Sequence, residues 1–246
     1  MGLTELPLTP ELKKFLTKPD AASSTQSTSA PRPQANRPTP TPTPTRPTTS
    51  PRPKPPGIPA NAQPIGEIHQ ELCDCRLCPL HESRRQVVPG CGSGISRLLV
   101  LEEQPGEPEE TADNPLAGEA GALFDKMLLA IGLNRGQVYL TSLVKCRPPG
   151  DREPTTAEIH TCQSYLFRQI AAVNPAVICG LGPLTARILT GSSRTIFQLR
   201  GRFHDFHGTP LLVTFHPRFL LRNPEMKKAS WQDLQLIQKK LADSKS

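Results

Sequence analysis

The stretch "QVYLTSLVKCRPPGDREPTTAEIHTCQSYLFRQIAAVNPAVICGL", residues 137–181, decides the fold class. Its first ten residues are apolar enough for a buried strand, a proline-rich loop follows, and residues 155–173 have the apolar spacing of a helix. Thr155 or Thr156 is placed to cap that helix, with Glu158 behind it, and "AVICGL" predicts a second strand. This order predicts two parallel strands joined by a right-handed helical crossover.

The alternation of strand and helix continues on both sides of this unit. The segments are "RLLVLEE" (97–103), "EAGALFDKMLLAIGL" (119–133), "PLLVTFH" (210–216) and "ASWQDLQLIQKKLADS" (229–244), in the order strand, helix, strand, helix. Residues 195–208 are interpreted as a hairpin or an irregular ribbon. The pattern predicts an α/β fold whose mainly parallel, four-stranded sheet is covered on both faces.

A site is expected where the carboxyl ends of these strands meet, because open parallel sheets bind ligands there. Four segments converge at this edge: residues 102–110, residues 142–152, the turn at 180–183 and the segment that opens at His216. His216 therefore leaves the core at the rim of a predicted site.

The N-terminal quarter has a different composition. Of the 29 prolines, 13 fall within residues 31–64, and five of the seven net positive charges lie between Ala21 and Gly66, where no Asp or Glu occurs. This composition predicts a disordered, basic Pro/Thr-rich tether over residues 21–64. The folded domain is therefore assigned to residues 65–246, and its surface is close to neutral.

Residues 1–20 contain the segment "TPELKKFL", residues 9–16, which has the capping residues and apolar spacing of a short helix. Such a helix is marginal when it is isolated. The alternative hypothesis is that residues 1–20 form a docking helix for a protein partner at the end of the tether.

No long apolar run occurs in the chain, so the sequence predicts neither a secretory signal nor a membrane span, and a cytoplasmic location is expected. Seven cysteines in a reducing compartment are not expected to form a disulfide framework. Metal binding or burial must account for them.

Four of these cysteines are expected to converge. Cys75 and Cys78 have the C-x2-C spacing that lets two thiolates face one metal, and Cys146 and Cys162 lie near a single loop. Four thiolates can bind zinc or an iron-sulfur cluster, and the spacing does not separate the two. The remaining cysteines are Cys73, Cys91 and Cys179. Cys179, inside an apolar strand, is predicted to be a core residue, whereas the roles of the other two are unassigned.

Four segments together resemble the family 4 uracil-DNA glycosylases, the thermophile-type enzymes that carry iron and sulfur. They are "CRLCPL", "VKCRPPGDREPT", "EIHTCQSYL" and "HPRFLLRNP", and the resemblance covers about residues 65–243. It implies a three-layer α/β/α sandwich and a monomer that flips a base out of single- or double-stranded DNA and hydrolyses the N-glycosidic bond of deoxyuridine. Of zinc and an iron-sulfur cluster, the resemblance implies the second: a [4Fe-4S] cluster bound by Cys75, Cys78, Cys146 and Cys162.

The resemblance also implies roles for individual residues. His216 matches the histidine that donates a hydrogen bond to the uracil carbonyl, and Glu103 and Glu109 are candidates for positioning water or the sugar cation. The pocket residues implied are Glu102, Gln104, Pro105, Gly106, Leu116 and Ser142. The DNA-binding residues implied are Lys145, Arg147, Arg152, Leu220, Leu221 and Arg222, of which the leucines are the expected wedge into the base stack.

Three pocket positions depart from the family pattern. Glu102 stands where the family has glycine, Leu116 where it has an aromatic residue, and Ser142 where it has asparagine. Two interpretations follow: a glycosylase that acts on uracil or another deaminated base, or a catalytically weakened or inactive iron-sulfur protein that binds DNA. A third class, an electron-transfer protein, has no feature of the sequence in its favour.

Overall fold

The protein is described by a computed structural model over residues 63–244. The predicted docking segment, residues 1–20, and nearly all of the predicted tether, residues 21–64, lie outside the described residues. The first described helix begins at Ile65.

The described chain contains one mixed sheet. Its strands are β1 (Cys91–Gly92), β2 (Leu98–Glu102), β3 (Val138–Ser142), β4 (Val177–Leu181), β5 (Phe203–Phe206) and β6 (Thr209–Thr214). They lie in the order β1-β3-β2-β4-β6-β5. The four central strands are parallel, which confirms the predicted four-stranded parallel sheet.

Each edge of the sheet carries an antiparallel strand. β1 pairs with β3, and β5 pairs with β6. Residues 195–208, which were predicted to form a hairpin or an irregular ribbon, contain a short helix and then β5. The hairpin partner of β5 is β6, the strand predicted separately at residues 210–216. The two-residue strand β1 was not predicted, because a pair of residues is too short to show an alternating pattern.

Helices lie before, between and after the parallel strands. They are α1 (Ile65–Cys73), α2 (Leu80–Ser83), α3 (Glu107–Ala112), α4 (Gly118–Ala130), α5 (Thr156–Val173), α6 (Pro183–Thr190), α7 (Ile196–Leu199), α8 (Pro217–Arg222) and α9 (Lys227–Asp243). Three single turns of 3-10 helix are added at Arg135–Gln137, Pro149–Asp151 and Pro224–Met226. Helix α3 lies in a segment whose prolines and acids predicted only a loop.

Helix α5 begins at the predicted cap. Thr155 Oγ1 accepts from the Glu158 backbone N–H at 3.3 Å, and the Glu158 carboxylate accepts from the Thr155 N–H at 2.7 Å. This reciprocal arrangement satisfies two N–H groups that the helix itself leaves unpaired. The helix ends at Asn174, which adopts the left-handed conformation.

Every residue of the four central strands except the first two of β6 is buried. Burial on both faces means that helices cover the sheet on each side, so the fold is the predicted three-layer α/β/α sandwich. None of the helices within residues 63–244 is long and apolar enough to cross a membrane. The sandwich directs the carboxyl ends of its parallel strands toward one edge.

Candidate active site and metal centre

The four predicted metal ligands line a single cavity. Cys75 and Cys78 come from the turn between α1 and α2, Cys146 follows β3, and Cys162 lies in α5. The Arg84 side chain also lines this cavity and donates a hydrogen bond to Cys146 Sγ at 3.0 Å. The fold therefore brings together residues that are up to 87 positions apart in the sequence.

The chemistry of this cavity fits a metal group with thiolate ligands. Burial raises the pKa of Cys78 and of Cys146, and raises the pKa of Cys162 to about 11. Buried thiols ionise only when a positive charge compensates them, and a metal supplies that charge. Within residues 63–244, however, no three His, Cys, Asp or Glu residues are gathered closely enough to hold a metal ion. The cluster assignment therefore stays a proposal.

The other cysteines do not line this cavity. Cys179 is buried in β4 with 2% of its surface exposed, which confirms the prediction that it belongs to the core. Cys91 lies in β1, and its thiol donates to Asn114 Oδ1 at 3.1 Å. Cys73 is exposed, and its thiol donates to the His69 carbonyl within α1.

The predicted pocket residues meet at the ends of three parallel strands. Glu102 ends β2, Ser142 ends β3, and His216 follows β6 by two residues. Glu102 and Ser142 are register partners, so their side chains project from the same face of the sheet. The Ser142 hydroxyl donates to the Val144 carbonyl at 2.7 Å, so its single donor is already used within the β3 loop.

His216 is held in one orientation by the start of helix α8. It is the N-cap of that helix, and its Nδ1 accepts a hydrogen bond from the Arg218 backbone N–H at 3.1 Å. An Nδ1 that accepts carries no proton, so the proton of the neutral imidazole must be on Nε2. Burial lowers the pKa of His216 to about 4, which keeps the ring neutral near pH 7.

The Nε2 atom of His216 faces Glu102. It lies 3.5 Å from Glu102 Oε2, and both side chains are buried. Burial, followed by the nearby charge of Glu109, raises the pKa of Glu102 to about 8. A neutral carboxyl beside a neutral imidazole is therefore the main state of this pair near pH 7.

Glu103 and Glu109 play different parts in the structure. Glu103 Oε1 accepts from the Leu184 backbone N–H at 2.7 Å, so this carboxylate spans from the end of β2 to the start of α6. Glu109 is fully buried and accepts from the backbone N–H of Gly106 at 2.9 Å and of Ala117 at 3.1 Å. It also forms an ion pair with Arg218. These contacts correct the predicted catalytic role of Glu109: the carboxylate holds the pocket loop together.

The rest of the pocket loop is tightly packed. Pro105 and Gly106 are buried, and a side chain on Gly106 would come within 2.8 Å of Arg218 Nη2. Gln104 donates to the Arg152 carbonyl at 2.8 Å, which ties the loop to the segment after Cys146. Leu116 is 1% exposed and adopts a left-handed backbone with φ of 54°.

The predicted DNA-binding residues divide into two groups. Arg147 and Arg152 lie at or near the surface but already pair with Asp151 at 2.7 Å and with Glu158 at 2.6 Å. Leu221, at 39% exposed, and the exposed Arg222 lie at the end of α8 with Arg222 in its last turn. These four residues remain candidates for contact with DNA.

Lys145 and Leu220 do not fit their predicted roles. Lys145 is 1% exposed, and its Nζ donates to Thr141 Oγ1 and to the Ser142 carbonyl, both at 2.5 Å. It therefore cannot reach a phosphate from this position, and the prediction that it does is wrong. Leu220 is fully buried, so it belongs to the core and not to the wedge.

Two residues that the sequence analysis did not select also shape the site. Arg218 pairs with Glu109 through its side chain and orients His216 through its backbone. Arg84 contacts Cys146. The N-cap contact needs only a backbone N–H at position 218, which any residue except proline supplies, so it did not mark the Arg218 side chain. Nothing in the local sequence marks Arg84.

Comparison with known proteins agrees with this geometry. A family model described as the uracil DNA glycosylase superfamily matches residues 89–235, which include β2, the β3 loop, two of the four cysteines and His216. The chain belongs to this superfamily.

Several relatives carry the name type-4 uracil-DNA glycosylase, among them one from Archaeoglobus fulgidus and one from Thermotoga maritima. The relative from Archaeoglobus fulgidus is 33% identical over 181 residues, which are 70% of this chain and 91% of that protein. The relative from Thermotoga maritima is 36% identical over 172 residues, 68% of this chain and 90% of that protein.

A type-5 uracil-DNA glycosylase from Pyrobaculum aerophilum is 35% identical over only 83 residues, 32% of this chain and 36% of that protein. Because the type-4 relatives are 33% and 36% identical and this chain covers 91% and 90% of their lengths, the chain is a member of the type-4 family.

Proposed function

We propose that this type-4 family member flips uracil, or another deaminated base, out of DNA and hydrolyses its N-glycosidic bond. The observation that carries the proposal is the hydrogen bond from the Arg218 N–H to His216 Nδ1, 3.1 Å long. It leaves the neutral imidazole with its proton on Nε2, which faces the pocket at the strand ends.

The role of that proton follows from the charge that the reaction develops. As the glycosidic bond breaks, the sugar gains positive charge and the departing uracil becomes an anion. A fixed donor aimed at the uracil carbonyl oxygen stabilises the transition state more than the bound substrate. A His216 that stays neutral because its pKa is about 4 can donate this hydrogen bond throughout the physiological pH range.

The water that completes hydrolysis needs a group to position it, and we assign this task to Glu103. One of its oxygens is held by the Leu184 N–H. The carboxylate is thereby fixed at the end of β2, one residue beyond Glu102, where its negative charge can also stabilise the cationic sugar.

Contact with DNA is assigned to the exposed residues around α8 and the β3 loop. Leu221 is the proposed wedge that enters the base stack, and Arg222, Arg147 and Arg152 are the proposed phosphate contacts. The ion pair of Arg147 with Asp151 is at the surface, where such a pair contributes little to stability and can exchange for a phosphate. The Arg152 side chain is 41% exposed, although its partner Glu158 is buried.

We propose that Cys75, Cys78, Cys146 and Cys162 hold a [4Fe-4S] cluster. The cluster would supply structural cross-linking among α1, the β3 loop and α5, and no redox step is required of it. Iron, acid-labile sulfide and visible absorbance in the purified protein would support this assignment. A colourless protein that contains zinc instead would overturn it.

A second candidate function is DNA binding without catalysis. The observation that favours it is that Glu102 and Leu116, at two of the predicted pocket positions, have side chains that are only 1% exposed. Under this alternative the protein binds DNA and holds its cluster but releases no base.

Base release on defined oligonucleotides separates the two functions. The substrates contain uracil, hypoxanthine or xanthine in single and double strands, and the test variant is His216→Asn. Asparagine keeps an N-cap for α8 but removes the imidazole donor, so release should fall by about 10²- to 10³-fold. His160→Ala, on an exposed face of α5, is the matched control and should keep the wild-type rate.

Release that His216→Asn retains would point to a contaminant or to another site. No release from any substrate by the cluster-loaded, DNA-binding protein would establish the binding function instead.

Two further proposals rest on the sequence alone. Residues 1–20 are proposed to dock a protein partner, and residues 21–64 to attract phosphate in a salt-dependent way. Deletion of residues 1–20 should abolish capture of that partner. If the full-length chain and the deletion variant capture the same proteins, the docking proposal is wrong.

A further inference from the structure

The carboxyl group of Glu102 is buried and poorly satisfied by hydrogen bonds. Its side chain is 1% exposed, and the Leu116 backbone N–H and His216 Nε2 approach it without making a well-formed hydrogen bond to Oε1 or Oε2. A buried polar group without a well-formed hydrogen bond costs about 1–3 kcal/mol, so it calls for a functional explanation. The position of Glu102 indicates what that function is.

Glu102 lies between two other predicted site residues, Ser142 and His216. Its register partner Ser142 projects from the same face of the sheet but gives its hydroxyl proton to the Val144 carbonyl. On the other side, His216 Nε2 is 3.5 Å from Glu102 Oε2. The poorly satisfied carboxyl therefore stands beside the proposed catalytic donor, where Ser142 has no donor left to offer.

We infer that Glu102 recognises the excised base. Its carboxyl group would form hydrogen bonds with an N–H of the base and with the carbonyl group next to that N–H. This inference rests on the proposed glycosylase function and deepens it. The chemical class of ligand is a base with an amide edge, such as uracil or the larger hypoxanthine. Glu102 thereby takes over, from the neighbouring strand, the contact that Ser142 is too short to make.

The chemistry requires the neutral form of the carboxyl. A protonated carboxyl offers one donor and one acceptor, which can meet the carbonyl and the N–H of an amide edge together. An ionised carboxylate offers only acceptors and would repel the base as it becomes an anion. Burial, with a pKa raised to about 8, keeps the group protonated near pH 7.

The charged and titratable groups around Glu102 come from several elements. They are Cys91 in β1, Glu103 at the end of β2, Glu109 on α3, Lys145 in the β3 loop, and His216 and Arg218 at the start of α8. His216 titrates far below neutral pH, but burial also lowers the pKa of Lys145 to about 8. A variant of Glu102 itself is therefore needed to assign any change in rate near pH 8.

The test is single-turnover release of uracil and hypoxanthine from single-stranded oligonucleotides between pH 6 and pH 9. The variants are Glu102→Ala, Glu102→Gln and the double variant Glu102→Gly/Ser142→Asn, with Glu119→Gln as a surface control. Loss of a paired base contact should slow Glu102→Ala by about 10- to 100-fold. Glu102→Gln keeps one donor and one acceptor, so it should release base faster than Glu102→Ala.

The pH profile gives a readout that a structural role would not change. Release by the wild type should fall as pH rises through about 8, since the carboxyl then loses its proton. In Glu102→Gln that fall should disappear. A fall that persists in Glu102→Gln would assign the titration to another group, such as Lys145, and would overturn the inference.

The remaining outcomes separate this inference from the proposed function. If Glu102→Ala releases base as fast as the wild type or faster, Glu102 either takes no part in base recognition or obstructs base binding. In that case only the inference fails. The inference also fails if the double variant releases uracil while the wild type releases nothing. If neither the wild type nor the double variant releases any base, the proposed function fails as well.

Discussion

Leu220 and Leu221 are neighbours in helix α8, yet Leu220 is fully buried whereas 39% of Leu221 is exposed. The two residues have the same side chain and adjacent positions, so each is the matched control for the other. The structure assigns one of them to the core and leaves the other free to meet DNA.

Truncation of the two leucines should therefore affect different properties, stability for Leu220 and base release for Leu221. Leu220→Ala should lower the free energy of unfolding by about 2–5 kcal/mol, because it leaves a cavity. Leu221→Ala should change stability by roughly 0.5 kcal/mol or less but slow base release from double-stranded DNA more than from single strands. Urea denaturation and release assays measure the two effects. Unchanged release from duplex DNA by Leu221→Ala would rule out the wedge role.

The cysteines offer a similar comparison. Cys146→Ser should lower the iron content and visible absorbance, since it removes one of four ligands in the shared cavity. Cys73→Ser should keep both, because Cys73 is exposed and does not line that cavity. Iron and sulfide analysis of purified protein checks the pair. Equal loss in both variants would show that the ligand set has been misassigned.

Arg222 is predicted to bind phosphate without reading sequence. Arg222→Ala should weaken DNA binding to a similar extent on all sequences and reduce the slope of log affinity against log salt by about 0.7–0.9. Lys239→Ala, an exposed change in α9, is the control for net charge. Titrations at several salt concentrations measure the slope. If both variants lower it equally, the effect comes from overall charge and not from a contact.

Glu158 should make stability depend on acidic pH. Its hydrogen bond with Arg152, together with the Thr155 cap, lowers its pKa from 4.5 to about 2. Because the pKa is lower in the folded protein, this contribution is fully present above about pH 4.5 and is lost as the pH falls toward 2. Glu158→Gln should be less stable at neutral pH and should lose less stability between these values. Urea denaturation across pH 2–6 tests this, and parallel curves for both proteins would contradict it.

The fold was largely predictable because its main elements carry strong patterns. Apolar runs and helical spacing located the four parallel strands and the long helices α4, α5 and α9. The edge strand β1 has only two residues, Cys91 and Gly92, so it exists through pairing with β3 and not through a pattern of its own. Helix α3 is supported by a local capping contact from the Gly106 N–H to Glu109, and by the ion pair of Glu109 with Arg218, which is too far away in the sequence for a local rule to predict.

The site was predictable in position but less so in the role of each residue. The predicted strand ends placed Glu102, Ser142 and His216 at one site. The positions of the cysteines predicted that four of them would converge, as they do in the cavity. The burial of Lys145 was missed because its charge predicts a surface, whereas a loop carbonyl and a hydroxyl satisfy it inside. Leu220 and Leu221 could not be told apart, since the bounds of α8 decide which of them faces the core.

The antiparallel strands at the edges of the sheet have a consequence for colloidal behaviour. A long exposed edge would be a template for strands of other copies and hence for aggregation. Here one edge is the two-residue strand β1, and the other is the four-residue β5, which carries the exposed Asp205. We therefore expect native protein to tolerate high concentration, with precipitation following the loss of tertiary structure and not edge-to-edge stacking.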